Sequence, residues 1–289
     1  MSYRSIFQPG LFKNKVVIVT GGGSGLGRCT AHELAALGAH VVIVGRNQEK
    51  LLSVEAEILA DRGSVSIHVC DIRDESQVIE VIDTVLRNFE RIDGLVNNAG
   101  GQYRAALNTI STKGFEAVVK NNLTGGFIFM REAYNRWMQN NGGSIVNIIA
   151  DIWHGWPDFA HSASARGGMH TLTETAACEW AADGVRVNTV APGGIASSGF
   201  DTYAPEAKAK ILEFPPTVPM QRFGTESEIS AAIVFLLSPA AGYITGTCLR
   251  VDGGAPNARS TWKLQPAKLS TEFNGFHRAV LPELLRQKV

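Results

Sequence analysis

Apolar positions along this chain follow two rhythms. Short β-branched runs recur at VVIVT (16–20), HVVIVG (40–45), VSIHV (65–69), GLVNN (94–98), GSIVNII (143–149), VRVNTVA (185–191) and TCLRV (247–251). Each is nearly continuously apolar, the pattern of a strand covered on both faces. Between them lie longer stretches, about 26–37, 48–61, 75–89, 112–139, 162–182 and 226–237, that read as helices. In 162–182, Met169, Leu172, Ala176 and Trp180 recur at spacings of three and four and form one stripe for burial. Strand and helix alternate, which predicts βαβ units and an α/β fold. Right-handed crossovers then require a doubly wound parallel sheet of Rossmann-like form, with helices on both faces. No linker interrupts the pattern, so a single domain is expected over 11–254.

Two stretches break the rhythm. Residues 193–224 are rich in Gly, Ser and Pro, with a short helical piece near 204–213 and the run Phe214-Pro215-Pro216-Thr217-Val218-Pro219. An excursion after a strand's carboxyl end is a packed surface loop or a substrate lid; the lid is favoured because ligands bind at that edge of such sheets. Residues 255–289 form a C-terminal extension with a helix pattern around 277–287, either an oligomer arm or a frayed end.

Composition narrows the class. The chain has 289 residues, 45% of them hydrophobic, and 27 basic against 27 acidic side chains. That is too apolar for disorder, and net neutrality gives no basic footprint for nucleic acid. No run approaches the length of a membrane span, and no apolar signal core opens the sequence. Cys29, Cys70, Cys178 and Cys248 are scattered without a C-x-x-C pair. They read as reduced thiols in a cytoplasmic protein, with neither a disulfide framework nor a metal site.

The sharpest local signal is VVIVT-GGGSGLG at 16–27. A strand enters Gly21, Gly23, Ser24, Gly25, Leu26 and Gly27, and a helix begins at once. Glycines let the backbone approach a pyrophosphate, and the helix amino end offers unpaired N–H groups and a positive dipole. The second strand ends Val44-Gly45-Arg46. A carboxylate there would bond the ribose 2′-hydroxyl of NAD; its replacement by Gly45, with Arg46 as a fork for a phosphate, favours NADP(H) over NAD(H). Asp71, after the third strand, stands where a carboxylate could accept from an adenine amino group.

The glycine run, Asn97-Asn98-Ala99-Gly100, Asn122, Asn188 and Pro192-Gly193 together resemble the short-chain dehydrogenase/reductase family, in the family's order and over most of the chain. The resemblance implies a nicotinamide cofactor and a homotetramer or dimer. It adds Ile72, Asn98, Ala99, Gly100, Pro192, Gly193 and Ile195 to the cofactor contacts, and gives Asn122 a helix-bending, water-holding role. The family's usual Ser, Tyr and Lys are missing. Ala150 holds the serine position, and the helix reads His161-Ser162-Ala163-Ser164-Ala165-Arg166 in place of Tyr-x-x-x-Lys.

Ser162 and Arg166 keep the one-turn spacing with a hydroxyl and a cation. This resembles the branch holding the 2,4-dienoyl-CoA and trans-2-enoyl-CoA reductases, whose dienoyl members usually carry Lys where Arg166 stands. Reducing a conjugated double bond puts hydride on carbon and charge on the thioester oxygen, which needs aimed donors more than a phenol. Tyr103, beside the expected nicotinamide, supplies a substitute phenol or lines the pocket. His161 contacts substrate or caps the helix; Asp151 is an acid or an Asx cap. Three functions follow: an enoyl- or dienoyl-thioester reductase, a dehydrogenase of an apolar terpenoid-like alcohol or aldehyde, or a catalytically silent scaffold that still binds the cofactor.

Overall fold

The computed structural model describes residues 2–202, 208 and 210–286. Seven parallel strands, β1 (Val16–Thr20), β2 (His40–Gly45), β3 (Ser64–Val69), β4 (Gly94–Asn97), β5 (Gly143–Ile148), β6 (Val185–Pro192) and β7 (Cys248–Val251), form one sheet in the order β3-β2-β1-β4-β5-β6-β7. The order reverses between β1 and β4. A crevice opens there at the carboxyl ends, because the following connections leave toward opposite faces.

Successive residues of β1 point to opposite faces, and both faces are covered. Val17 and Val19 enter one core with helices α1 (Gly25–Ala36), α2 (Gln48–Ala60) and α8 (Glu226–Leu237). Val16 and Ile18 enter the other with α3 (Glu75–Phe89), α5 (Gly125–Ala133) and α7 (Ala160–Trp180). Fully buried Ile18, Leu95 and Phe129 mark its centre; each such side chain contributes about 1.5–3 kcal/mol by leaving water. Double cover fails at the sheet's edge, where β3 is only partly buried.

The stretch read as one helix over 112–139 is segmented. Helix α4 (Thr112–Val119) passes through a π turn (Lys120–Thr124) into α5, and a second π turn (Tyr134–Met138) leads to α6 (Gln139–Asn141). Helix α7 begins at Ala160, ahead of the expected 162, with no side-chain cap from Phe159. Helix α8 carries a full capping box, Thr225 with Glu228. In the 193–224 excursion, Gly224 pairs back onto Gly194 and Ala196, and the ring of Phe214 lies against Gly194. The expected helix near 204–213 falls largely outside the described residues; Lys208, Lys210 and Ile211 are helical.

The C-terminal extension folds back onto its own chain. Phe276 is buried beside Tyr3 and Cys29, and Arg278 makes a two-pronged pair with Asp61 at the end of α2. The helix expected over 277–287 is confined, among described residues, to α9 (Glu283–Arg286), because Phe276–Arg278 are committed to this docking. No helix among the described residues is long and apolar enough to cross a membrane.

Candidate active site

Thr20, the last residue of β1, ties the two sides of the crevice together. Its hydroxyl accepts from the backbone N–H groups of Asn98 and Ala99, each at 3.0 Å. The Asn98 carboxamide donates back to the Thr20 carbonyl at 2.9 Å, so this side chain clamps the two loops together. The clamp brings the chains too close for side chains. A Cβ on Gly27 would stand 2.3 Å from the Gly21 carbonyl oxygen, and Gly21 itself holds a φ of +68°.

Ser24 precedes α1 without capping it, which leaves the first-turn N–H groups for an anion. The resulting cleft, about 210 Å³, is lined by Gly21, Gly23, Ser24, Gly45, Arg46, Lys50, Ile72, Ala99 and Gly100, among others. Gly25, Leu26 and Gly27 stand behind this wall, where Leu26 packs against the core.

At the cleft's far end sit Arg46 and Lys50, both exposed, at the start of α2, whose amino end is capped by Asn47. Lys50 escaped the sequence reading: only the helical turn from Asn47 brings it alongside Arg46. The Asp71 carboxylate is gripped by Arg73, which holds its pKa down to about 2, with Arg46 adding to the effect. Asp71 is therefore a fixed anion.

The other end of the cleft meets the buried polar chain. The N–H of Gly101 donates to Asn122 Oδ1 at 2.8 Å, which fixes the amide so that its Nδ2 donates to Ser162 Oγ at 3.3 Å. Ser162 in turn donates to Gln102 Oε1, also at 3.3 Å. Both Ser162 bonds are long, so the hydroxyl exchanges Gln102 for a better acceptor at small cost. Asn122 lies in the first π turn, which turns it inward. Gln102, like Lys50, is a residue that sequence reasoning left out of the site; its place after Gly101 on the β4 loop was the available signal.

Arg166 is buried one helical turn beyond Ser162. Its Nη1 donates to the carbonyl of Ile148 at 2.5 Å, and no carboxylate among the described residues pairs with it. Burial alone lowers its pKa to about 10, which still leaves a cation at neutral pH. Gly100 gives it room: a Cβ there would lie 2.4 Å from Arg166 Nη2 and 2.9 Å from Asn122 Oδ1.

His161 is fully buried. Its Nδ1 accepts from the N–H of Ser162, which places the ring proton on Nε2, and Nε2 has no hydrogen-bond partner. The ring of Tyr103 meets it edge-on at 4.5 Å, while the Tyr103 hydroxyl lies against Gly114 in α4, outside the Asn122–Ser162–Arg166 group. The Asp151 carboxylate takes a backbone bond from Trp153, and burial followed by the charge of Asp252 raises its pKa.

Pro192 ends β6, and Gly193 is pressed to within 2.7 Å, measured from a would-be Cβ, of the Asp252 Cα. Ile195 buries its side chain in the core and bridges Gly224. Ile195 also lines a second cavity of about 370 Å³ with Gly194, Arg222, Arg250 and Asp252.

A crevice at the switch point, a glycine cradle and a buried polar group on α7 define a dinucleotide-binding oxidoreductase. The family described as enoyl-(acyl carrier protein) reductase matches residues 21–256, and the chain belongs to the short-chain dehydrogenase/reductases, enzymes that use a nicotinamide cofactor. It is 37% identical over 245 residues, 84% of this chain and 96% of the relative, to a Bacillus subtilis (strain 168) protein named probable 2,4-dienoyl-CoA reductase. The solved structure of a citronellol catabolism dehydrogenase from Pseudomonas aeruginosa PAO1 is 53% identical, with a TM-score of 0.79 over 88% of this chain and all of that one. A Beutenbergia cavernae protein solved with NADP at low occupancy is 33% identical, with a TM-score of 0.79 over 86% of this chain and 99% of that one.

The cleft fits such a cofactor. Gly21, Gly23 and Ser24 line it beside the uncapped amino end of α1, and Arg166 is a buried cation without an anionic or hydroxyl partner among the described residues.

Proposed function

We propose that this oxidoreductase works in the cytoplasm with NADP(H) and reduces the conjugated C=C bond of an enoyl- or dienoyl-CoA thioester. The observation that carries the reading is the Asn122–Ser162–Arg166 group: hydroxyl and amide donors beside a standing buried cation. Arg46 and Lys50 at the start of α2 support the 2′-phosphate, since the exposed cations and the helix amino end favour one anion. The diphosphate is assigned to Gly21, Gly23 and Ser24, and the nicotinamide side to Ala99, Gly100 and Pro192–Ile195.

A nicotinamide cofactor held in the cleft would supply a hydride for the carbon at the far end of the conjugated system. Negative charge then collects on the thioester oxygen. Ser162 turns its hydroxyl from Gln102 Oε1 to that oxygen, while Asn122, held by Gly101, keeps the serine in place. Arg166 stabilises the same charge at short range in a site of low dielectric. It remains protonated through turnover, so the proton that completes the product on carbon comes from water or another acid. A ketone would need its proton on oxygen, and a bare hydroxyl is a poor acid for that step.

A second reading, a dehydrogenase of an apolar terpenoid-like alcohol or aldehyde, is favoured by the likeness to the citronellol catabolism dehydrogenase. One experiment separates the two: NADPH oxidation with a medium-chain 2-enoyl-CoA, a 2,4-dienoyl-CoA and a free aldehyde of equal length. The proposal expects thioester turnover that falls steeply in Ser162→Ala and Arg166→Met. Aldehyde turnover alone establishes the second reading. Binding of NADPH with no turnover of any substrate counts for the silent scaffold.

A further inference from the structure

The proposed cofactor site is built from two parts far apart in sequence. The loop before α1 and the start of α2 form the cradle, and the Gly194–Ala196 segment after β6, where Gly194 and Ile195 line the second cavity, is the wall proposed above for the nicotinamide side. That wall has little regular structure of its own. It is held by Gly224, whose N–H donates to the Gly194 carbonyl at 3.0 Å and whose carbonyl accepts from Ala196 at 2.9 Å.

The segment holding the wall is itself held by the C-terminal extension. Gln221 stands in the left-handed region, φ +54°, a conformation that is strained for a non-glycine residue and must be held by its surroundings. Both ends of its carboxamide are used on the tail: Nε2 donates to the Gln265 carbonyl at 2.9 Å, and Oε1 accepts from the Ala267 N–H at 2.7 Å. Arg222 donates to the Thr271 carbonyl at 3.1 Å and pairs with Glu228 at 2.7 Å.

The tail then crosses to the cradle. Thr225 Oγ1 donates to the Phe273 carbonyl at 2.6 Å, and Ser227 Oγ accepts from the N–H groups of Gly275 and Phe276 at 3.2 and 3.1 Å. The Arg4 N–H donates to the Gly275 carbonyl. The Arg28 guanidinium lies 4.9 Å from the centre of the Phe276 ring, and Arg278 anchors on Asp61 through two bonds of 2.9 Å. Arg28 belongs to α1, and Asp61 closes α2.

We infer that Gln265–Arg278 is a strap that positions the Gly194–Ala196 wall against the α1–α2 cradle, with Gln221 and Arg222 as positioning residues and Arg278 as the anchor. The inference rests on the cofactor site, not on the identity of the substrate. A rigid strap spanning both walls removes freedom that cofactor binding would otherwise have to remove, so the two events reinforce each other.

Amide hydrogen exchange on the full-length protein, with and without NADPH, tests this beside an NADPH titration. Arg278→Met is expected to speed exchange at Phe273–Phe276 and also at Gly194–Ala196 and Gly224, and to weaken NADPH about five-fold, the lower range of couplings between separated sites. Faster tail exchange with an unchanged wall and unchanged affinity overturns the inference. Unchanged tail exchange overturns it as well, because the anchor is then misassigned. Gln221→Ala cuts only the wall end of the strap, and covers an Arg278 variant that fails to fold; a wild-type wall in that protein has the same negative meaning. If the wild type binds no NADPH, the cofactor reading fails, while exchange in the free protein still decides the strap.

Discussion

Replacing Gly100 by alanine puts one methyl group between Arg166 and Asn122. The new carbon would lie 2.4 Å from Arg166 Nη2 and 2.9 Å from Asn122 Oδ1, where ordinary contacts begin near 3.4 Å. Something must therefore move by about 1 Å, and neither neighbour is free to do so. Arg166 is buried and bonded at 2.5 Å to the Ile148 carbonyl; Asn122 is held by the Gly101 N–H at 2.8 Å. Overpacking of this kind costs about 1–3 kcal/mol, a fall in Tm of roughly 2–12 °C at about 2–4 °C per kcal/mol. A displacement of about 1 Å in the donor group costs kcat on the order of 10²-fold. Thermal melts and initial rates with the active substrate measure both. Shortening the clashing side chain with Arg166→Lys in the same protein restores part of the lost rate, a coupling that a double-mutant cycle quantifies. Gly100→Ala with wild-type melting and a rate within two-fold would refute the geometry on which the Arg166–Asn122 assignment stands.

Three further outcomes are expected. Arg166→Met lowers kcat by about 10²–10³-fold yet leaves the denaturation midpoint unchanged or raised, within about 2 kcal/mol, because an uncompensated buried cation is removed; parallel urea melts and rates check this, and a large loss of stability would contradict it. Arg46→Ala weakens NADPH by about ten-fold, roughly 1.4 kcal/mol for one charge-assisted contact, and leaves NADH unaffected, which competitive titration reads. The pKa of His32 is lowered to about 4, chiefly by burial. The unfolded chain therefore binds a proton below about 6.5 that the folded chain refuses, so its contribution is lost as pH falls from 6.5 toward 4, up to roughly 3 kcal/mol. Urea melts of wild type and His32→Gln should converge toward acid pH if this holds, and run parallel if it does not.

Much of this molecule is legible in local pattern. The strands announce themselves because both sheet faces are buried, and the glycine loop because close backbone approach tolerates nothing larger. Ser162 and Arg166 stand out because one helical turn separates them. The long helix misleads: Asn122 sits in a π turn whose geometry depends on Gly101 and Ser162, residues 21 and 40 positions away. Gln102 and Lys50 join the site only through the fold that surrounds them. The tail was equally opaque, since Phe276 and Arg278 find their partners on α1 and α2, more than 200 residues earlier in the chain.

The π turn at Lys120–Thr124 also constrains how this chain can vary. A π turn holds one residue beyond the α-helical repeat, so the helix leaves it with its phase advanced by about 100°. Val118, before the turn, and Phe129, after it, are both buried across that slip, with Asn122 at its centre. Deleting any one residue there would let the backbone relax into uniform α-helix without altering the chemistry of those that remain. The whole preceding helix would then rotate against α7, and the carboxamide would leave Ser162. In this stretch the number of residues matters to the site as much as their kind.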